Sequence, residues 1–177
     1  MRVASTASCG GGLGERHWLI NAQVRHDYGR RDQDRHGAEL AAAADLDGAG
    51  VVMLTAADVR GVRHADDGGV VVEATVGLTH PAWAADVDAE PASAPGTINI
   101  VAIIPVRLTD AALLNALCTV TEAKTQALLA DRVPGTGTPS DAVTIACPVS
   151  GPAEQFAGPR STWGARLARA VYRAVHK

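Results

Sequence analysis

Aromatic residues make up only 3% of this 177-residue chain, and a single phenylalanine is among them. The core must therefore be built from Ala, Val, Leu and Ile. Cysteine is scarce as well. Cys9, Cys118 and Cys147 are odd in number and widely separated, which argues against a disulfide scaffold and matches no zinc spacing. The simplest expectation is three reduced thiols in a cytosolic protein. No apolar run reaches about 18 residues. The opening MRVASTASCGGGLGERHW is small and polar, unlike a signal peptide. A soluble, cytoplasmic protein with no membrane partner is expected. Basic charge is not in excess, and the formal net charge of −3 gives no electrostatic reason to expect nucleic acid. The six histidines are scattered, with no pair at helical ligand spacing beside an acid, so no metal ligands are assigned. No G-x-S-x-G elbow is present either. These absences remove the commonest hydrolase machines.

What remains is a globular profile, 47% hydrophobic and 20% charged, long enough for one domain with a sizeable core. RHWLINAQV (residues 16–24) alternates as a strand does. The charged run RHDYGRRDQDRH reads as a solvated loop or helix start. GAELAAAADL (37–46) predicts a short Ala-rich helix, GVVMLTAADV (50–59) an apolar strand, and GGVVVEATVGLT (68–79) another, with RHADDGG before it as a tight connection. The segment 83–96, rich in Ala, Pro, Asp and Ser, is the most loop-like. GTINIVAIIP, apolar on both faces beyond Asn99, predicts a central strand. Thr109 and Asp110 then offer N-cap chemistry to a helix running to about Val133. AVTIACPV (142–149) is the last strand, and STWGARLARAVYRAVHK closes the chain as an amphipathic helix. The expected fold is α/β of the α+β type: a single mixed β-sheet of about five strands packed against helices, in the order β-α-β-β-β-α-β-α.

Four polar constellations interrupt this apolar frame. In STASCGGGLGERHWLIN, glycines 10, 11, 12 and 14 allow close backbone approach to a ligand, but a strand follows where a dinucleotide fingerprint needs a helix. A flexible glycine turn is the competing reading. In GTIN, Thr97 and Asn99 share one strand face at the head of a central strand, and must find partners or border a cavity. In TEAK (121–124), a helical wheel starting at Leu113 places Leu113, Leu114, Leu117, Val120 and Leu128 in one arc of about 120°, with Lys124 inside it and Glu122 opposite. Lys124 either snorkels or reaches a polar pocket, pairing with a carboxylate, binding an oxyanion or moving a proton. In PGTGTPSDAV, Gly135, Thr136, Gly137, Thr138 and Ser140 supply amides and hydroxyls, without the lysine of a P-loop. Asp141, at the loop–strand junction, is the expected partner of Lys124, with turn formation as its competing role.

Taken in order, STASCGGGLGERHWLINAQV, VVMLTAADV, ATVGL, GTINIVAIIPVRLTDAALLNALCTVTEAKTQALL, GTGTPSDAV and FAGPRSTWGARLARAVYRAV resemble the adenosylcobinamide amidohydrolase (CbiZ) family, from about Ser5 to Val175. GTIN, TEAK and GTGTPSD are the sharpest parts. The resemblance implies a single amidohydrolase-like domain over residues 1–177. Family members carry an additional N-terminal stretch, so a short form or a late start is implied, and the segment between Pro81 and Pro95 looks individual. It further implies hydrolysis of the amide that joins the aminopropanol arm to the corrin ring of adenosylcobinamide, giving adenosylcobyric acid for coenzyme B12 salvage. Cobalt belongs to the corrinoid substrate, so no cofactor of the protein's own is implied. A corrinoid-binding protein that has lost catalysis is the alternative.

An amide is a poor electrophile, so such a site must activate water, stabilise an oxyanion and protonate the departing amine. Lys124, Asp141, Asn99 and Thr136 are the candidate catalytic residues. Asp141 is cast as general base or the group that orients one. Lys124 is cast as donor to the oxyanion or leaving nitrogen, and Asn99 with the 135–138 amides as the rest of the oxyanion site. Thr136 or Thr97 as covalent nucleophile is a variant. Gly11, Gly12, Asn21, Thr97, Gly135, Gly137 and Thr138 are candidate substrate-binding residues, in a broad cleft with the 83–96 loop along its rim.

Overall fold

The strand TINIVAI, apolar on both faces, needs cover above and below, and the fold supplies it. The computed structural model describes residues 1–87 and 96–177. Along these run β1 (Arg2–Ser5), β2 (Gly12–Glu15), β3 (Trp18–Gln23), α1 (Gln33–Ala43), β4 (Gly50–Thr55), β5 (Arg63–Asp67) and β6 (Val70–Gly77). They continue with β7 (Thr97–Ile103), β8 (Arg107–Leu108), α2 (Asp110–Ala130), β9 (Ala142–Cys147), β10 (Ala153–Glu154) and α3 (Thr162–Val175). The main sheet has the order β2-β1-β9-β7-β6-β5. Its β7–β9 pair is parallel, bridged in sequence by α2, and the other pairs are antiparallel.

The α/β class and the mixed sheet are as expected, but the membership of the sheet is not. The strands predicted from 16–24 and 50–59 pair with each other in parallel, as β3 and β4, outside the main sheet. Three members of the main sheet replace them. β1 comes from the opening RVAS, for which the sequence predicts no element, β2 from the glycine-rich segment whose competing reading is a flexible turn, and β5 from the segment read as a tight connection. In β5, Ala65 is the buried residue and the rest are polar, as suits an edge strand. Only Gly68 and Gly69 make the connection to β6, both at positive φ (57° and 90°), as a two-residue hairpin turn requires.

α2 and α3 cover one face of the sheet. Ile98, Ile100 and Ala102 of β7 join Val143 and Ile145 of β9 in a core with Leu113, Val120 and Leu128 of α2 and Leu167 and Val171 of α3. The other face carries a smaller cluster. Val3, Ala142, Ala146 and Val101 meet Val51 and Met53 of β4 and Leu19 of β3. α1 lies outside that ribbon, where a Cβ on Gly37 would meet Cys9 and Val52 at 3.3–3.4 Å. The predicted alternation of β7 is thus real: odd positions face the ribbon, even ones the helices.

α2 begins where expected, Thr109 accepting from the Ala112 amide at 3.2 Å. It ends in a Schellman motif, with Arg132 at φ 58° and bonds from Val133 N to Leu128 O (2.9 Å) and Arg132 N to Leu129 O (3.0 Å). Its buried stripe is Ala112, Leu113, Ala116, Thr119, Val120, Ala123, Lys124, Ala127 and Leu128. Leu114, expected in that stripe, is half exposed. The alanines take the inner line because they let α2 approach the sheet and α3 closely. Among the described residues no helix is long and apolar enough to cross a membrane.

Candidate functional site

Lys124 retains 6% of its surface and does not snorkel. The stripe that carries Leu113, Val120 and Leu128 inward carries its stem too, and the ammonium ends on the Asp141 carboxylate. Asp141 stands at the head of β9 and takes three further donors. These are Ile98 N at 2.9 Å, Thr138 N at 3.2 Å and the Thr138 hydroxyl. Four donors occupy the acceptor positions of an ionised carboxylate. Gly137 passes so close that a Cβ there would fall against the Lys124 ammonium at 2.5 Å and against Asp141. Only glycine fits over this ion pair.

Around it the loop hydroxyls are spoken for. Ser140 Oγ lies 2.9 Å from Gly96 O and 3.0 Å from Thr97 Oγ1, and Thr138 Oγ1 lies 2.7 Å from Gly96 O. The 135–138 amides are also mostly spent internally. Gly135 N donates to Val133 O, Thr136 N to Ala82 O and Thr138 N to Asp141. Thr136 Oγ1 accepts from Ala84 N at 3.1 Å, so this residue ties the loop to residues 82–84.

Asn99 belongs to a different network. It faces the ribbon, away from α2, and donates from Nδ2 to Asn21 Oδ1 (2.8 Å) and Leu54 O (3.1 Å). Asn21 in turn donates to Thr75 at 3.1 Å. Among the described residues, the buried Asn99 Oδ1 finds no hydrogen-bond partner. These bonds lock the end of β4 to β7, 45 residues apart in sequence.

The two networks meet in a cleft of about 390 Å³ between sheet and ribbon. Its walls come from the β1–β2 segment (Thr6, Ser8), the end of β4 (Val52 to Ala56), and the heads of β7 and β9 (Thr97, Ser140, Asp141, Ala142). Val24, Tyr28 and Gln33 close the remaining side. Of the expected residues, Lys124, Asp141, Gly137, Thr138 and Thr97 are therefore brought together, with Asn99 and Asn21 behind the cleft wall. Thr136 and Gly135 lie on the side of residues 82–84. Gly11 and Gly12 do not line the cleft. The Gly10 and Gly11 carbonyls are held by the Arg16 guanidinium at 2.8 and 3.0 Å. The rim expected from residues 83–96 falls mostly on residues 88–95, outside the described residues.

The residue that sequence reasoning passed over is Tyr28. It sits inside a run of charges, RHDYGRRDQDRH, which dominated the reading. Its hydroxyl lies 2.8 Å from His36 Nδ1, and the two rings stack at 5.4 Å. Burial pushes its phenol above the usual value. Burial does the same to the Cys9 and Cys147 thiols, as for inert structural cysteines. Among the described residues no three His, Cys, Asp or Glu side chains cluster as metal ligands.

Comparison with known proteins gives the class: this is a member of an amidohydrolase family. The whole chain, residues 1–177, matches the CbiZ family, adenosylcobinamide amidohydrolase, and the chain belongs to it. An adenosylcobinamide amidohydrolase of Halobacterium salinarum is 37% identical over 131 residues, covering 70% of this chain and 56% of that protein. The chain thus spans little more than half of that relative. One from Methanosarcina mazei is 27% identical over 181 residues, covering 97% of this chain and 87% of that protein. No solved structure matches.

Proposed function

We propose that this protein hydrolyses the aminopropanol amide of adenosylcobinamide, releasing aminopropanol and adenosylcobyric acid in corrinoid salvage, and that the cleft between sheet and ribbon is where it does so. Membership of the family over the whole chain carries the reaction. The convergence of GTIN, GTGTPSD and the segment before the glycines on one cleft supports the site. At about 390 Å³ the cleft is near the small end for a ligand pocket. It suits the scissile arm, with the far larger corrin ring left at its mouth.

The roles follow from the bonds each group has left. Asp141, with four donors already in place, orients rather than abstracts. It fixes the head of β9 and, through Lys124, the GTGTPSD loop. Thr97 and Ser140 present a coupled hydroxyl pair to the cleft. With the Ser140 proton on Gly96 O and the Thr97 proton on Ser140, the pair accepts from and positions the attacking water, with Thr97 as covalent nucleophile the variant of this scheme. Asn99 and Asn21 keep the β4 wall in place. The substrate is the corrinoid, and its cobalt is cargo.

The test is incubation of the protein with adenosylcobinamide and mass analysis of the products. Aminopropanol and adenosylcobyric acid are expected. Thr97→Val should lower turnover, whereas Glu122→Ala, on the exposed side of α2, should not. Unchanged substrate accompanied by a spectral shift on binding would instead support a corrinoid-binding protein without catalysis.

A further inference from the structure

Among the described residues, two titratable side chains line the cleft, Asp141 and Tyr28. Asp141 has its acceptor positions filled, and Lys124 is committed to Asp141. An amine cannot leave a tetrahedral intermediate without a proton. We infer that Tyr28, backed by His36, is the general acid that protonates the departing amine, an assignment that rests on the amidohydrolase reading above.

The geometry supplies the parts. Tyr28 lines the same cleft as Thr97 and Ser140, on the segment between β3 and α1. Its hydroxyl meets His36 Nδ1 at 2.8 Å, and the stacked rings hold both groups in place. His36 lies in the first turns of α1 and is only half buried, so solvent reaches it. The charged groups nearby are tied to one another. Arg30 holds Asp32 at 2.8 Å and Glu39 at 2.7 Å. Cys9 lies behind, its thiol bonded to Gln33 O. A phenol is protonated at neutral pH, the state a proton donor needs, and burial pushes this one further up.

The step balances with water alone. The water oxygen bonds to the carbonyl carbon, and its released proton passes to solvent at the cleft mouth. As the intermediate collapses the C–N bond breaks, its electron pair staying on nitrogen. That nitrogen takes the Tyr28 proton. The phenolate oxygen left behind accepts a hydrogen bond from His36 Nδ1–H and recovers a proton through the imidazole, which is recharged from solvent.

Tyr28→Phe keeps the ring and removes the proton. It should lower kcat on adenosylcobinamide by about 100-fold or more, with cobinamide binding by spectral titration unchanged. On a 4-nitrophenyl ester of adenosylcobyric acid, whose leaving group needs no proton, the same variant should match wild type. His36→Gln should lower kcat on the amide less than Tyr28→Phe does. A Tyr28→Phe enzyme as fast as wild type on the amide overturns the inference, and so does an equal loss on amide and ester, which marks a structural role. Failure of wild type to cleave adenosylcobinamide overturns the amidohydrolase reading itself, and this assignment with it.

Discussion

Deleting the Lys124 ammonium while keeping its stem, as Lys124→Met does, isolates the charge. Lys124 and Asp141 keep 8% and 12% of their side-chain surface, so the variant leaves a carboxylate buried with three neutral donors and no counter-charge. Breaking one side of such a pair costs about 3–5 kcal/mol, against a total stability of about 5–15 kcal/mol. For a domain of this size that lowers Tm by about 6–20 °C. Asp141→Asn should do comparable harm by stranding the ammonium. The double variant Lys124→Met/Asp141→Asn removes both charges together, and its loss should fall short of the sum by about 2–3 kcal/mol. Urea unfolding of the four proteins, with turnover measured where each is still folded, reads both stability and catalysis. A Lys124→Met loss under about 1 kcal/mol, the value for an exposed pair, or strictly additive single losses, would refute the description of a sealed and coupled ion pair.

Gly137→Ala drives a methyl against the same ammonium and carboxylate, and should cost about 1–3 kcal/mol in urea unfolding, while Gly61→Ala, with open space around it, should cost less. Asn99→Asp is nearly isosteric but sets an oxygen against Asn21 Oδ1 and Leu54 O, where an NH₂ now donates. It should cost about 3–5 kcal/mol, and a thermal melt equal to wild type would contradict the amide orientation. Asp67 is held by Arg169 and Arg173, which lower its carboxyl to about 2. Its folded value lies below the ordinary one near 4, so its contribution is present above that value and is lost as pH falls towards 2. Urea midpoints of Asp67→Asn and wild type should therefore differ at pH 7 and converge near pH 2.

The parts of the fold that could be read from sequence were those with a strong periodic signature. β7 shows period two around a polar head, α2 announces itself with the Thr109 N-cap and α3 with its amphipathic pattern, which Ser161 caps in the structure. The Lys124–Asp141 pair was legible for a related reason: a lysine on an apolar helical stripe needs a counter-charge, and the loop leading back into the sheet offered one carboxylate. Sheet membership was not legible. Nothing in LINA or VVML says whether those strands pair with each other or with GTINI, because periodicity reports the faces of a strand and not its neighbours. β5 was hidden by its polarity, since an edge strand held through its backbone needs few apolar side chains. The Asn21–Asn99 bond spans 78 residues between strands that do not pair, so no local pattern announces it. Tyr28 was masked by the charges around it.

The end of the sheet that holds the cleft accounts for the neutral groups in the proposed chemistry. Parallel α/β units commonly bind ligands beyond the carboxyl ends of their strands, where helix N-termini face the ligand. Here the cleft lies at the amino ends of β7 and β9, beside Thr97 and Ala142. The crossover helix α2 therefore turns its C-terminus, the negative end, towards this side of the sheet. No basic residue occupies the last turn of α2 to offset it. Lys124, on the buried stripe before that turn, brings a positive charge to this side, and Asp141 neutralises it. In the proposed reaction the scissile group would therefore meet the Thr97, Ser140 and Tyr28 hydroxyls rather than the Lys124 ammonium. The proposed scissile amide carries no charge of its own, so a pocket of paired hydroxyls beside a closed ion pair matches it without leaving a buried charge uncompensated.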